Sequence, residues 1–243
     1  MNCKIYIATH TDFDCPVKSP IYDILDSRKL FPDDKAPNGL NALFYSELLS
    51  YKYVADKFRL EDYVGFCGYR KYFSFMDKIP DIPTLVDRHG CIAAEKNTRP
   101  RSIYKQYAKS FCFADMDITK GIVASLYPAE YPSLLEMLEG NWIYPFNMFI
   151  MRWSRFIMMM EYVFDILDKL VEVLGTDIVS RINSHPHIYL GGGTKFRTIP
   201  FQYRIGGNIG ERLISAYIMH HFPDCITFPA VFTSQRAGFN PIK

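Results

Sequence analysis

Two apolar runs near the start of the chain are separated by a segment with helical spacing. The first run, Cys3 to Thr9, is rich in β-forming residues, and the second, Tyr63 to Cys67, has the character of a buried strand. Between them, apolar residues recur at helical intervals from about Leu40 to Phe58. A strand, a crossover helix and a second strand make the unit from which parallel sheets are built. We therefore predict an α/β fold with an open, mainly parallel sheet flanked by helices.

The rest of the chain continues this alternation. The patterns predict a strand at Phe146 to Met151 and helices near 117–126, 131–139, Trp153 to Leu174 and Ile209 to His221. With 243 residues, 49% of them hydrophobic and 22% charged, the chain is long enough for a complete core. We expect a single domain, 1–243, in which the Gly-rich run 191–195 is a flexible lid or an acceptor loop.

Charge and cysteine content narrow the class of protein. The net charge of +2 is too small for a nucleic-acid coat, so we expect no nucleic-acid partner. A pI near 8.1 is compatible with weak peripheral contact with an anionic membrane surface. The six cysteines contain no C-x-x-C pair, and the first residues do not resemble a signal peptide, so a cytoplasmic location is expected. Charged residues interrupt the apolar region Phe146 to Gly175, which predicts an amphipathic helix rather than a membrane span.

The second predicted strand ends in a group of cations and phenols, Tyr69 to Tyr72, with the sequence YRKY. Thr9 and His10 end the first strand. In open α/β sheets, ligands bind in the loops beyond the carboxyl ends of the strands. Arg70 and Lys71 would there supply the fixed charge that a phosphate or diphosphate requires. The alternative is that these cations only solvate an exposed edge of the sheet.

Segments along nearly the whole chain also carry a family resemblance. They are KIYIATH, ALFYSELLSYKYVADKF, DYVGFCGYRKYF, IYKQYAKSFCFADMDI followed by YPAEYP, YPFNMFIMRWSRF and GNIGERLISAYI. In order and spacing, these segments resemble a bacterial family of glycosyltransferases that has long been catalogued as a domain of unknown function. That family is found in capsule, exopolysaccharide and O-antigen gene clusters.

The resemblance implies a GT-A-like nucleotide-sugar-binding fold and transfer of a sugar from a UDP-sugar. Some relatives look like galactofuranosyltransferases, and the implied acceptor is a saccharide or lipid-linked saccharide at the inner face of the membrane. The donor-binding region would be about 1–110 and the acceptor and catalytic region about 111–243. This chain departs from the family at Gly68, where relatives usually carry His, and at Phe111-Cys112, where His residues are frequent. The roles of those histidines are therefore not carried over.

Metal-dependent GT-A enzymes place an Asp-x-Asp pair at the position where this chain has YRKY. The usual pair of metal ligands is therefore replaced here by cations. We expect Arg70 and Lys71 to take the place of the ion on the departing UDP. No metal cofactor is therefore predicted, with Mn²⁺ or Mg²⁺ as the alternative. A literal Asp-x-Asp does occur at Asp115 and Asp117. It is either a metal site or the N-cap of a helix from Ile118 to Leu126, and the helical pattern favours the cap.

Glu211 is the candidate general base. It follows Gly206-Gly207-Asn208 near the start of a predicted helix, where glycines would let a substrate approach the backbone. An inverting transfer needs one such carboxylate to take the proton of the acceptor hydroxyl. Alternatively, Glu211 is a first-turn residue stabilised by the helix dipole and paired with Arg204 or Arg212. The family segment GERL favours the catalytic role.

The remaining candidates are assigned to the donor. Thr9 and His10 are expected near the uracil or ribose, and Tyr69 is placed beside them at the next strand end. Asn147 would contact the sugar, or would instead satisfy backbone groups. Glu47 fits either the family's pattern or a buried structural pair with the tyrosine one turn later.

Other classes of protein remain open at this point. A nucleic-acid-binding module would use YRKYF as cations plus a stacking surface, but no second basic and aromatic stripe occurs. A non-catalytic nucleotide- or sugar-binding protein would keep the strand-end cations without needing Glu211. His185-Pro186-His187 and His220-His221 have no metal-type partner one helical turn away, so we expect them to be solvated or packed.

Overall fold

The computed structural model describes residues 2–58, 62–184 and 199–233. Its strands are β1 (Cys3–Thr9), β2 (Tyr22–Asp26), β3 (Tyr63–Gly68), β4 (Lys71–Phe73), β5 (Cys91–Ala94), β6 (Asn97–Thr98), β7 (Trp142–Ile143), β8 (Phe149–Arg152), β9 (Ile226–Phe228) and β10 (Ala230–Phe232). Its helices are α1 (Ser27–Leu30), α2 (Leu48–Lys57), α3 (Ile82–His89), α4 (Ile103–Ser110), α5 (Phe113–Leu126), α6 (Tyr131–Glu139), α7 (Trp153–Leu174), α8 (Ile178–Ser184), α9 (Ile199–Gln202) and α10 (Ile205–His221), with 3-10 turns at Ala42–Phe44 and Pro145–Asn147. The predicted lid at 191–195 and His185 to His187 lie outside the described residues.

The central sheet is mainly parallel, as predicted. β1 lies between β2 and β3 and runs parallel to both. Beyond β3 comes β8, which is antiparallel, and then β5 and β9, which are parallel to each other. β4 turns back from β3 and pairs with β10, while β6 and β7 form a separate two-stranded sheet. Strands from the first and second halves of the chain therefore share one sheet.

Apolar side chains cover both faces of the sheet. In β3, Val64 and Phe66 belong to one buried cluster, whereas Tyr63 and Cys67 belong to the other. Successive side chains of a strand point to opposite faces, so this alternation buries β3 on both sides. Double burial explains why the strand reads as a continuous apolar run rather than as an alternating one.

Several elements have the bounds that the sequence predicted. β1, α6 and α7 begin and end where expected, which confirms those predictions. α7 buries one long apolar side against the core and is amphipathic, as expected. Within the described ranges, no helix combines the length and the apolar character that crossing a membrane would require.

Other elements differ from the predictions. α5 begins at Phe113 and α10 at Ile205, each several residues before the predicted start. The strand expected at 146–151 is β8, which begins only at Phe149 because a turn occupies the preceding residues. β2 was missed, since it is an edge strand in which only Tyr22 and Leu25 are buried.

The glycines at the start of α10 serve packing, contrary to the expectation that they admit a substrate. A Cβ atom on Gly206 would lie 2.5 Å from Phe44 Cε1 and 2.9 Å from the Phe44 carbonyl oxygen. A Cβ on Gly207 would lie 2.6 Å from Ser46 Oγ. The segment before α2 therefore fits against α10 only because these side chains are missing.

Gly206→Ala is expected to destabilise the protein by about 1–3 kcal/mol, the usual cost of forcing a methyl group into a packed core. Gly121→Ala is the matched control. Gly121 is exposed inside α5, and a Cβ there would meet no atom within 4 Å. The control should therefore stabilise by roughly 0.5–1 kcal/mol through helix propensity alone. Urea unfolding of both variants checks the opposite signs, and equal effects would contradict this packing.

Candidate active site

One edge of the sheet gathers the carboxyl ends of β1, β2 and β3. His10 follows β1, Arg28 lies just after β2, and Arg70 lies in the tight turn between β3 and β4. Because β8 is antiparallel to β3, the residues that precede it, Phe146 and Asn147, reach the same edge. The topology therefore brings residues that are distant in sequence to one end of the sheet.

Tyr69 organises the aromatic and cationic side chains at this edge. Its ring is buried, and the ring of His10 meets it edge-on with the centroids 5.4 Å apart. The guanidinium of Arg70 lies 4.9 Å from the Tyr69 centroid, within the range of a cation–π contact. Tyr72 donates its hydroxyl to the Tyr69 carbonyl at 3.0 Å and so fixes the turn. Arg70 itself is exposed, so its charge faces the space beyond the strand end.

Lys71 is a half-buried cation among several charges. Desolvation lowers the pKa of Lys71 below its ordinary value, and the carboxylates of Glu47 and Glu211 only partly offset this effect. The charges of Arg70 and Arg204 lower the pKa of Lys71 further. These cations and carboxylates are therefore close enough to interact. The two arginines make the charged form of Lys71 less favourable.

His10 shares this electrostatic environment. Desolvation by the surrounding protein lowers the pKa of His10, and the cations Arg204 and Arg70 lower it further. The imidazole is therefore neutral near pH 7, although its side chain is on the surface. A neutral imidazole offers a ligand one hydrogen-bond donor and one acceptor, but no charge.

The turn before β8 is strained and is held by side chains. Phe146 and Asn147 have φ angles of 73° and 53°, which are uncommon for residues other than glycine. The Phe146 N–H donates to Glu211 Oε1 at 2.8 Å, and Asn147 Nδ2 donates to Glu47 Oε1 at 2.9 Å. The Lys71 ammonium lies 4.2 Å from the centroid of the Phe146 ring. Strain of about 1–3 kcal/mol per residue that is held by its surroundings is characteristic of functional sites.

Glu47 also links this turn to Arg204. Its second oxygen lies 3.8 Å from Arg204 Nη2, and Arg204 Nε donates to Ser46 Oγ at 3.0 Å. Arg204 is exposed and is the N-cap residue of α10. A cation is unfavourable at the positive end of a helix dipole. Glu47 and Ser46 hold Arg204 there, and its exposed guanidinium can also bind an anion.

Glu211 is held at both carboxylate oxygens. Besides the Phe146 N–H on Oε1, Arg212 Nη1 donates to Oε2 at 2.8 Å. Arg212 is buried, and its other terminal nitrogen donates to Gln106 Oε1 at 2.5 Å. The sequence suggested Arg204 or Arg212 as the partner of Glu211, and the structure shows Arg212. Each carboxylate oxygen has room for a further hydrogen bond, so Glu211, 23% exposed, can still accept a proton from a ligand.

Thr9 and Asn147, which the sequence assigned to the donor, already make hydrogen bonds within the protein. Thr9 is buried, and its hydroxyl donates to the Thr11 carbonyl at 2.7 Å and accepts the Thr11 N–H at 3.1 Å. This side chain therefore closes the loop after β1. Asn147 uses Nδ2 on Glu47, whereas its buried Oδ1 has no hydrogen-bond partner among the residues that the structure describes. That oxygen is a candidate acceptor for a sugar hydroxyl.

Asp115 and Asp117 both lie inside α5 rather than before it. The N-cap residue is Cys112, so the prediction that an aspartate caps a helix from Ile118 is wrong. Asp115 is buried, with Arg181 Nη2 3.3 Å from Oδ1, while Asp117 accepts the hydroxyl of Tyr104 at 3.0 Å. Residues two positions apart point about 200° away from each other around a helix, so these carboxylates do not converge on one ion.

Arg28 was not assigned from the sequence, and Arg204 was suggested only as a partner of Glu211. Arg28 forms a fork with Asp26, with distances of 2.9 and 2.6 Å, and also donates to Asp12 at 2.6 Å. It therefore joins the loops after β1 and β2 instead of offering a free charge. Because the helix was predicted to begin at Ile209, the position of Arg204 at the N-cap of α10 was not expected. Arg28 could not be assigned while β2 was unrecognised.

The fold is that of a glycosyltransferase. The apo structure of the WbbM bifunctional glycosyltransferase matches this chain with a TM-score of 0.74 and 20% sequence identity. The match covers 100% of this chain and 48% of that one, so the chain spans about half the length of WbbM. At this identity, the likeness establishes the shared fold. No curated protein matches the sequence.

The chain belongs to the family described as Domain of unknown function (DUF4422), which matches residues 4–186. The matched range includes β1, β3, β8 and the cations that follow β3. It ends before α10, so Glu211 and Arg204 lie beyond it.

Proposed function

We propose that this chain is a glycosyltransferase that binds a nucleotide-sugar donor at the strand-end edge. The observation that carries the proposal is that Lys71 and Glu211 flank one strained turn, Phe146-Asn147. A cation suited to the departing phosphate and a carboxylate suited to the acceptor hydroxyl therefore both contact this turn. The fold shared with a glycosyltransferase supports this arrangement.

The diphosphate of the donor is assigned to Arg70, Lys71 and Arg204. Arg70 and Arg204 are exposed, and Arg204 is only loosely paired, at 3.8 Å from Glu47. Guanidinium and ammonium groups suit phosphate oxygens because their hydrogen bonds are charge-assisted. These side chains therefore fit an anion, and the proposal requires no metal for diphosphate binding.

We propose an inverting transfer as the chemical step. The acceptor hydroxyl attacks the anomeric carbon from the face opposite the diphosphate, and Glu211 takes the hydroxyl proton. The bond between the sugar and the diphosphate breaks, and its electron pair leaves on the phosphate oxygen. Arg70, Lys71 and Arg204 stabilise the charge that develops there. The product has the inverted configuration at the anomeric carbon.

The finer assignments rest on the family resemblance. They are a UDP-sugar donor, with galactofuranose as the candidate sugar, and a saccharide or lipid-linked saccharide acceptor in cell-surface polysaccharide synthesis at the cytoplasmic face of the membrane. His10 and Tyr69 would contact the uridine, and Asn147 Oδ1 the sugar. In this scheme, residues 1–110 hold most of the donor, while residues 111–243 supply Glu211 and also contact the donor through Asn147 and Arg204.

A second candidate function is nucleotide or sugar binding without catalysis. One observation favours it, because both oxygens of Glu211 already accept hydrogen bonds, from Phe146 and Arg212. In that case, Glu211 would only hold the turn before β8. Both functions predict UDP binding, and only the transferase predicts turnover.

The deciding experiment measures UDP release from a panel of UDP-sugars, with and without saccharide acceptors, alongside calorimetric titration with UDP. Turnover with one donor, together with UDP binding that a chelator leaves unchanged, is the expected result. UDP binding without release from any donor would favour the non-catalytic function. Binding that requires added Mn²⁺ would contradict the cationic diphosphate site.

UDP affinity is also expected to fall as the pH rises through the lowered pKa of Lys71. The ammonium must be protonated to bind a diphosphate, and desolvation holds the pKa of Lys71 below that of an ordinary lysine. UDP affinity should therefore have its full value below that pKa and decline above it. The decline should begin at a lower pH than it would for an ordinary lysine. The measurement is calorimetric titration with UDP between about pH 6 and pH 10.

Lys71→Arg provides the control for this pH dependence. The guanidinium stays charged throughout the range, so the alkaline decline should disappear while binding at neutral pH persists. An unchanged decline in the Arg variant would assign the titration to another group and would remove Lys71 from the diphosphate site.

A further inference from the structure

The C-terminal end of α10 meets the start of α6 at a cluster of metal-ligand side chains. Glu130, His220 and His221 each offer one ligand atom there, and these atoms all lie within 4.8 Å of one another. Two histidines and one carboxylate, with water in the fourth position, form a known zinc ligand set. We propose that these residues bind a divalent transition metal of the zinc class. The sequence did not suggest this site, because Glu130 comes from a different region of the chain.

His221 and Glu130 already have the spacing of two ligands of one ion. His221 Nε2 lies 3.3 Å from Glu130 Oε1. That nitrogen is buried and makes no hydrogen bond of ordinary geometry to the described residues. A charge-assisted N–H···O hydrogen bond would be about 2.7–2.9 Å long. Ligand atoms that lie about 2.0–2.2 Å from a tetrahedral zinc ion are instead about 3.3–3.5 Å apart.

His220 supplies the third ligand from the next position of the helix. Its ring centroid lies 4.6 Å from that of His221, and the two rings are perpendicular. Ser133 Oγ lies 3.2 Å from Nδ1 of His220 and holds the ring from α6. Hydroxyls and other hydrogen-bonding groups commonly orient metal-binding histidines in this way. His220 is exposed, so water can reach the remaining coordination position. The carboxylate of Glu130 would offset some of the positive charge of the bound ion.

The site lies at the opposite end of α10 from Glu211, about 14 Å along the helix at ~1.5 Å per residue. A metal ion there would fasten the end of α10 to the start of α6 without touching the donor edge. Zinc occupancy is therefore independent of the proposed transferase function, and the two are tested by different measurements.

The test is zinc titration of the untagged full chain after treatment with a chelator and dialysis, with a chromophoric chelator as competitor. We expect one zinc ion per chain and a raised melting temperature on zinc addition, because a ligand of the native state stabilises it. Glu130→Gln and His220→Ala should each weaken zinc affinity by at least about tenfold. Changing a residue that only hydrogen-bonds to a metal ligand already costs about that much. His89→Ala, at a partly buried histidine of α3 whose Nδ1 lies 3.1 Å from the Asp224 carbonyl oxygen, is the matched control and should leave zinc affinity unchanged.

Cobalt loading gives a second readout. Co²⁺ bound to these side chains should produce visible ligand-field absorption that His220→Ala abolishes and His89→Ala retains. The melting temperature of each variant is measured without metal, so that loss of fold is not mistaken for loss of metal. Saturation well below one ion per chain, or zinc affinity that neither variant weakens, would overturn the proposal.

Discussion

Glu211→Gln is expected to lower kcat for sugar transfer by about 10²–10⁴-fold, the usual contribution of a general base. UDP affinity should change little, because the cations of the diphosphate site are untouched. The glutamine has nearly the same shape as glutamate, and its amide oxygen can still accept the Phe146 N–H now bound at 2.8 Å. The strained turn is therefore retained while proton acceptance is lost. Steady-state UDP release with the cognate acceptor provides the measurement.

Because glutamine keeps the shape of glutamate, this substitution distinguishes two roles of Glu211, a general base and a residue that only holds the turn. If Glu211 acts only by fixing Phe146, glutamine should preserve most of the transfer rate. If it is the base, glutamine should remove most of the transfer rate. Glu172→Gln, at an exposed residue of α7, is the matched control and should transfer at the normal rate.

Glu211→Gln also removes the charge that pairs with Arg212. Its buried guanidinium pairs with Glu211, and an unpaired buried charge is costly. Melting temperature and UDP affinity therefore accompany each rate. Glu211→Asp is the second variant, since it keeps the charge beside Arg212 but shortens the reach to the acceptor. Near-normal transfer by both folded variants would exclude Glu211 as the base.

Burial decides how much of this fold could be predicted from the sequence. β1, β3 and α7 are buried along most of their length, so their apolar patterns are complete and their positions follow from them. β2 lies at the edge of the sheet, and its Ile24 is 53% exposed. Such a strand has neither the continuous apolar run of a central strand nor a clean alternation. The missing pattern hid the element, and with it the position of Arg28.

The candidate site was predictable only where it depends on strand ends. The strand pattern placed His10, Arg70 and Lys71 at one edge, because parallel strands end together. The left-handed turn at Phe146 and Asn147 could not be predicted, since neither residue is a glycine that would indicate positive φ. Its stability comes from Glu47 and Glu211, which are far away in the sequence, and contacts of this kind require the tertiary structure. The glycines before Glu211 were misread for the same reason, as their neighbours come from a distant segment.

Arg70→Ala combined with Lys71→Ala is expected to weaken UDP binding by about 10²–10⁴-fold. Hydrogen bonds to charged groups contribute about 1.5–3 kcal/mol each, and each 1.4 kcal/mol corresponds to about tenfold in affinity. Arg70 is exposed, and Lys71 is half-buried beside Phe146, so the double substitution leaves the core clusters intact. Calorimetric titration with UDP, with and without Mn²⁺, measures the loss.

Arg101→Ala combined with Lys105→Ala is the matched control, because it removes the same net charge from exposed positions around the start of α4. A general electrostatic attraction between UDP and a basic protein would weaken equally in both double variants and would be screened by salt. A fixed diphosphate site predicts a large loss only in the first. If added Mn²⁺ restores binding to the Arg70 and Lys71 variant, a cation can occupy the position of those side chains. The protein cations and the metal ion of metal-dependent glycosyltransferases would then be interchangeable ways of stabilising a departing diphosphate.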